Sequence, residues 1–256
     1  MLAAVVVAAV LFGLAVGSFL NVVIHRVPLR RSVVSPRSSC PGCRTTLAER
    51  DNIPIVSWLV LRGRCRTCAM PISPRYPLVE AATAVLFGLA AVRLGADWAL
   101  PAFCLFFATL LAVSVIDLEH FIVPNRIVFP MLAVSVPLLA AAALLDGTWR
   151  PLVTGVIGAL VASNGLLVIN LINPKGMGMG DVKLALLLGL FLGWLGLDHV
   201  ALGLFLGFLL GAVVGVALIA TGVKTRKDPV PFAPFLAAGA VIAVLVGEGL
   251  LDRYPG

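Results

Sequence analysis

The sequence predicts an all-α polytopic membrane protein, with about eight transmembrane helices and one sizeable polar loop between the first two. Three observations predict it. Of 256 residues, 61% are hydrophobic and only 12% are charged, where a soluble domain carries about 25% charged residues. Mean hydropathy is +1.09. Uncharged apolar runs of membrane-spanning length, about 20 residues, recur along the chain. The same figures exclude disorder, a coiled coil, a collagen and a disulfide-stapled secreted module. A net charge of +7 would point to nucleic acid in a soluble chain. Here the basic residues collect in loops, as they do on the cytoplasmic side of membrane proteins. The partner expected for them is the lipid bilayer, with no nucleic acid.

Residues 2–24 form the first span, uncharged and with no basic residue ahead of them, unlike a signal peptide. Residues 77–92 carry one carboxylate, Glu80, near their start. Spans at 98–116, 127–145 and 152–171 follow, then 184–197, 200–223 and 230–247. The chain is thus expected to divide into a first helix (1–24), a cytoplasmic segment (25–76) and a membrane domain (77–256). If 25–76 is cytoplasmic, its ten arginines share a side with Arg126, Lys175, Lys183, Lys224, Arg226 and Lys227. Only Arg93, Arg150 and Arg253 fall on the other, so 16 of 19 basic residues agree. The positive-inside bias then places both termini outside.

The sixth span is short: its 14 residues would cover about 21 Å of a ~30 Å core. Gly176-Met177-Gly178-Met179-Gly180-Asp181 precedes it. Two readings stand. The glycine loop dips below the membrane surface and carries Asp181 into a wet pocket, or it is a surface loop ahead of a slightly short helix.

Four of five cysteines lie in the cytoplasmic segment, as Cys40-Pro41-Gly42-Cys43 and Cys65-Arg66-Thr67-Cys68, with 21 residues between the pairs. Each turn presents two thiolates to one tetrahedral ion, and two such turns close the site. A reducing cytosol disfavours structural disulfides, and no thioredoxin-like pattern accompanies the pairs. The spacing therefore points to a zinc knuckle, a structural Zn2+ site held by Cys40, Cys43, Cys65 and Cys68. Cys104 sits in an apolar run as a small core residue.

Asp117 follows an uncharged run and Asp181 follows the glycine loop, both at the cytoplasmic boundary. A carboxylate at membrane depth is costly and points to function. Two close carboxylates share a proton: one takes a proton from water while the other donates toward a scissile carbonyl, as in aspartic proteases. Taken singly, Asp181 reads more simply as an N-cap and Asp117 as a solvated helix end. No HExxH, GxSxG or GxxxxGK[ST] occurs, and His25, His120 and His199 lack metal-ligand spacing. Glu80 and Glu119 are weaker candidates and read as interfacial or helix-start charges.

At these residues the chain resembles the bifunctional type IV prepilin peptidases, over nearly its whole length. Gly17-Ser18-Phe19-Leu20-Asn21 through Arg26 resembles that family's opening helix. The cysteine pairs flank Asp51-Asn52-Ile53-Pro54, Ser57-Trp58 and Arg62-Gly63-Arg64, and Arg75-Tyr76-Pro77-Leu78-Val79-Glu80 follows. Asp117 with Ile122-Val123-Pro124-Asn125 resembles the first catalytic motif, and Gly178-Met179-Gly180-Asp181 matches the GxGD signature. Val230-Pro231-Phe232-Ala233-Pro234-Phe235 resembles a late proline-rich motif. Many members carry a second aspartate where Asn125 stands and glycine where Ala233 stands.

The resemblance implies a bacterial inner-membrane aspartic endopeptidase with Asp117 and Asp181 catalytic. Its substrates would be type IV prepilin or pseudopilin precursors, each a short basic leader followed by an apolar helix. It also implies N-methylation of the new amino terminus with S-adenosylmethionine. Gly63 and Arg64 match a stretch associated with that transfer, although they read equally as a turn into the zinc knuckle. The rivals are an ion- or proton-coupled transporter using Asp117 and Asp181, and a non-enzymatic scaffold docking through the zinc loop. A transporter predicts paired broken helices, and only one glycine-broken entry is present.

Overall fold

A computed structural model of the chain describes residues 1–174, 176–225 and 228–251. Among them stand nine α-helices: α1 (Leu2–Arg26), α2 (Val56–Val60), α3 (Arg75–Leu94), α4 (Leu100–His120), α5 (Asn125–Leu145), α6 (Arg150–Ile172), α7 (Met179–Leu195), α8 (Leu197–Ala220) and α9 (Ala233–Leu251). No strand forms among the described residues, only two isolated bridges, Ser39 with Thr46 and Arg64 with Pro71. Seven helices, all but α2 and α7, are long and apolar enough to cross a membrane. The chain is an all-helical, multi-pass membrane protein. Lys175, Arg226, Lys227 and Arg253, which entered the orientation argument, lie outside the described residues.

The expected spans all appear as helices, with shifted ends. The largest shift is at α7, which begins at Met179 rather than 184 and so reaches 17 residues, about 26 Å at 1.5 Å per residue. Asp181 therefore sits inside a helix, in its first turn.

The chain forms two compact units, Met1–Ala96 and Asp97–Gly256. In the first, α1 lies along α3, and small residues let the backbones meet. A Cβ placed on Gly13 would stand 2.8 Å from the Ala84 Cα. Lipid offers no hydrophobic drive between helices, so close packing of this kind holds them.

In the second unit α4 and α7 supply the core. Phe103, Phe106, Leu110, Val113 and Ile116 of α4 are buried, as are Leu184, Leu187, Leu188 and Phe191 of α7. Phe106 stacks on Phe191 at 4.3 Å and 10°, and Phe103 meets the same ring edge-on at 5.1 Å. The other side of α7 lies on α6 backbone to backbone. A Cβ on Gly189 would collide with the Gly158 carbonyl and reach within 2.6 Å of the Ala159 Cα. Asp181 thus rides on a helix fixed on two sides.

Candidate active site and metal centre

Helix α4 continues past the end of its apolar run and stops at Phe121, whose left-handed conformation (φ 55°) turns the chain. The Phe121 N–H closes the last turn on the Asp117 carbonyl at 2.9 Å. Asp117 is therefore a last-turn residue and not a solvated end: it is 5% exposed. Its Oδ2 accepts the backbone N–H of Ala233, first residue of α9, at 3.1 Å. The flanking Pro231 and Pro234 have no N–H to offer, so Phe232 and Ala233 supply the donors at this helix start. The backbone of Phe232 also faces the carboxylate.

Asp181 is 7% exposed and is the third residue of α7, while Gly178 occupies the N-cap. The aspartate is thus not the cap itself; its carboxylate turns back to the backbone of Gly178. The glycines of GxGD have separate steric reasons. A Cβ on Gly178 would stand 3.3 Å from Asp181 Oδ2, and one on Gly180 would stand 2.8 Å from the Val123 Cβ. The first glycine leaves room for the carboxylate, and the second admits the segment that follows α4. Charge on Asp117 acts directly on Asp181, so the two buried carboxylates are electrostatic neighbours.

Three side chains bracket Asp181. Asn170 of α6 donates to the Met177 carbonyl at 2.7 Å, and Ser163 of α6 donates to the Val182 carbonyl at 3.1 Å. Lys183 donates to Asn125 Oδ1 at 3.1 Å. Sequence reading did not single out Asn170, Ser163 or the Ala233 N–H. The first two carried a signal, a polar side chain within an apolar span; a backbone N–H carries none. Beside the glycine loop lies a cavity of about 180 Å³ lined by Ile169, Asn173, Gly176, Met177, Phe208 and Phe232.

In the first unit the two cysteine turns repeat one geometry. The Cys40 N–H binds the Thr45 carbonyl at 3.0 Å and the Arg44 N–H binds the Cys40 carbonyl at 2.9 Å. At the second turn the Cys65 N–H binds the Met70 carbonyl at 2.8 Å and the Ala69 N–H binds the Cys65 carbonyl at 3.0 Å, matching them. Arg44 and Ala69 both take φ near +57°, at 58° and 57°. All four sulfurs lie within 4.8 Å of one another, and Cys40 Sγ is 3.7 Å from Cys68 Sγ. A tetrahedron of ~2.3 Å metal–sulfur bonds has edges of about 3.8 Å, so the cluster can hold one metal ion. The Thr45 hydroxyl and N–H beside Cys43 hold that thiol down to about 6. The Met70 N–H pulls Cys68 down, but desolvation and the three neighbouring sulfurs outweigh it and push it up to about 11. Arg66, inside the second turn, grips Asp51 through Nη2 at 2.7 Å and Nε at 3.0 Å, which holds the Asp51 carboxyl below its ordinary range.

Gly63 has φ +66°, and a Cβ there would stand 2.9 Å from the Trp58 ring. Its carbonyl accepts the Ile72 N–H at 2.7 Å, while Trp58 Nε1 donates to the Ile72 carbonyl at 3.1 Å. Arg64 is exposed and bridges to Pro71. This geometry is that of a tight turn leading into the second cysteine pair.

These features define a class: a multi-pass helical membrane protein with a pair of carboxylates buried in the helices and a separate four-thiol cluster. Residues 11–94 match the bacterial peptidase A24 N-terminal domain, and residues 104–216 match the type IV leader peptidase family. The chain is 39% identical to the prepilin leader peptidase/N-methyltransferase of Bacillus subtilis (strain 168), over 95% of each chain. It is 37% identical to that of Aeromonas salmonicida (strain A449), covering 95% of this chain and 91% of the relative. With the Pseudomonas aeruginosa protein of the same name identity is 36%, covering 98% and 93%. The chain belongs to the type IV leader peptidase family. No solved structure matches it.

Proposed function

We propose that the chain is an aspartic leader peptidase that cuts prepilin-type precursors and then methylates the new amino terminus, with Asp117 and Asp181 as its catalytic pair. Supporting this reading is one observation above the rest: both family aspartates, from different helices, are buried and interact through their charges. One carboxylate takes a proton from the attacking water; the other, protonated, donates to the scissile carbonyl oxygen. Asp117 is steadied by the Ala233 N–H, and Asp181 by the clamps on either side of it. The bacterial relatives support a cytoplasmic (inner) membrane, and the positive-inside charge distribution supports a site at the cytoplasmic face with both termini outside. A precursor with a basic leader would meet its cleavage point there, where its apolar helix enters the bilayer.

The metal best suited to four thiolates is zinc, in a closed structural site. S-adenosylmethionine would supply the methyl group. Gly63 and Arg64 are proposed near that transfer, and their contacts support a role in shaping the turn.

The test is incubation of the purified protein with a pilin-type precursor and a labelled methyl donor, with mass analysis of the product's amino terminus. Wild type should yield a shortened, methylated product. Asp117→Asn and Asp181→Asn should each abolish shortening while the protein still inserts. Cleavage retained by either variant would remove that residue from the reaction.

A further inference from the structure

Helix α2 presents an uncovered apolar face. Val56, Leu59 and Val60, spaced so that they share one side of a helix, are 52%, 60% and 70% exposed, and Ile53 ahead of them is 49% exposed. Exposed arginines, Arg50 and Arg62, flank the segment on both sides. The side next to it is anchored: Ser57 is buried and donates to the Arg50 carbonyl at 2.8 Å.

The position of this face along the membrane helices is fixed by one contact. Glu80 of α3 is 8% exposed, and its Oε2 accepts the Ile55 N–H at 2.7 Å. Ser18 of α1 also binds that carboxylate. Glu80 stands five residues beyond the start of α3 at Arg75, about 7.5 Å along the helix axis. Ser18 stands eight residues before the end of α1 at Arg26, about 12 Å from that end. The turn leading into α2 therefore tucks in alongside the spans, not beyond their ends. Ile55 adopts φ +60° to do so, a conformation that a β-branched residue rarely takes and that surrounding contacts sustain.

The peptide groups here are also fitted to a water-poor layer. The N–H groups of Ile53, Ile55, Ser57, Leu59, Leu61 and Gly63 all have acceptors within the chain. Backbone left unpaired near lipid is costly, and these six N–H groups could enter already paired. Amphipathic elements at an interface sit about 5–10 Å into the headgroup and acyl boundary, a range that matches the distance of Glu80 from the start of α3.

We infer that α2 and the turn before it form an interfacial anchor, with Ile53, Val56, Leu59 and Val60 in the acyl boundary and Arg50 and Arg62 at the headgroups of anionic phospholipid. The cysteine turns are thereby held against the bilayer surface. The anchor is independent of whether the carboxylate pair is catalytic.

The experiment uses the full-length wild-type protein in proteoliposomes of phosphatidylethanolamine and phosphatidylglycerol. A trace phospholipid carries a photoactivatable diazirine at the top of its acyl chain. Trypsin releases 51–62, which holds the apolar face, and 45–50, which belongs to the first cysteine turn. After irradiation, 51–62 should carry about tenfold more lipid label than 45–50, the difference expected when aliphatic side chains leave water for acyl chains. Leu59→Glu with Val60→Glu should remove most of that label from 51–62 while labelling of α1 stays unchanged. Equal labelling of the two peptides, label that survives the double substitution, or cross-linking of 51–62 to protein in place of lipid would each overturn the anchor.

Discussion

Asp117 Oδ2 accepts the backbone N–H of Ala233 at 3.1 Å, across 116 positions of sequence. The bond joins the last turn of α4 to the first residue of α9. Removing one partner of a buried hydrogen bond leaves the other unsatisfied, at a cost of about 1–3 kcal/mol. Asp117→Ala should therefore lower stability by about that amount, whereas Asp117→Asn keeps an acceptor oxygen and should cost less than about 1 kcal/mol. Thermal unfolding of both variants in one detergent compares them; equal loss would mean that the bond does not tie α9 to α4.

Asn170 donates to Met177 and so fixes the loop that presents Asp181. Asn170→Ala should lower kcat by about 100-fold, the effect of a displacement near 1 Å at a reacting group, with KM little changed. A steady-state assay on a prepilin-type substrate reads both. A rise in KM alone would assign Asn170 to substrate binding.

Gly189 faces the Gly158 carbonyl, with no room for a methyl group. Gly189→Ala should separate α6 from α7, costing about 1–3 kcal/mol, and should lose cleavage with it. Gly165, on the same α6, has nothing within 4 Å of its would-be Cβ, and Gly165→Ala should be tolerated. Unfolding and activity of the pair distinguish close packing from a general intolerance of side chains on these helices.

The positive φ of Gly63 and the Trp58 ring above it predict that Gly63→Ala distorts the second cysteine turn. Bound metal, counted by elemental analysis, should fall along with methyl transfer. If methyl transfer were lost while one metal per chain remained, Gly63 would belong to the methyl-donor site and not to the turn.

With metal removed, the thiols should alkylate in a set order, because the thiolate is the nucleophile. Cys43, held at about 6 by Thr45, is mostly ionised at pH 7, and its reactivity should rise as pH passes through about 6. Cys68, pushed up to about 11, should react only in strong alkali. Pulse alkylation with peptide mapping across pH checks this; reaction of Cys68 ahead of Cys43 at neutral pH would refute it.

The parts of this molecule that sequence reveals are those whose physics is local. Spans are legible because membrane thickness demands long uncharged runs, and the two CxxC turns because each sets a pair of thiols side by side within four residues. The start of α7 is not. Gly178 and Gly180 look like chain-breaking residues, yet they make room for Asp181 and Val123, so the helix begins earlier than its apolar run. Helix α2 is also illegible: five residues are too few for helix propensity to decide, and its place depends on Glu80, 25 residues from Ile55. The family aspartates could be named from their motifs, but nothing at residue 117 announces a bond to a main-chain N–H in the last helix.

That distant bond also sets an order of events during synthesis. Translation at about 5–20 residues per second leaves roughly 6–23 s between the emergence of Asp117 and that of Ala233. Through that interval the nascent chain carries the acidic group without its steadying N–H. If Asp117 is catalytic as proposed, a ribosome-bound intermediate would cut no precursor, and cleavage would begin only after α9 has been delivered.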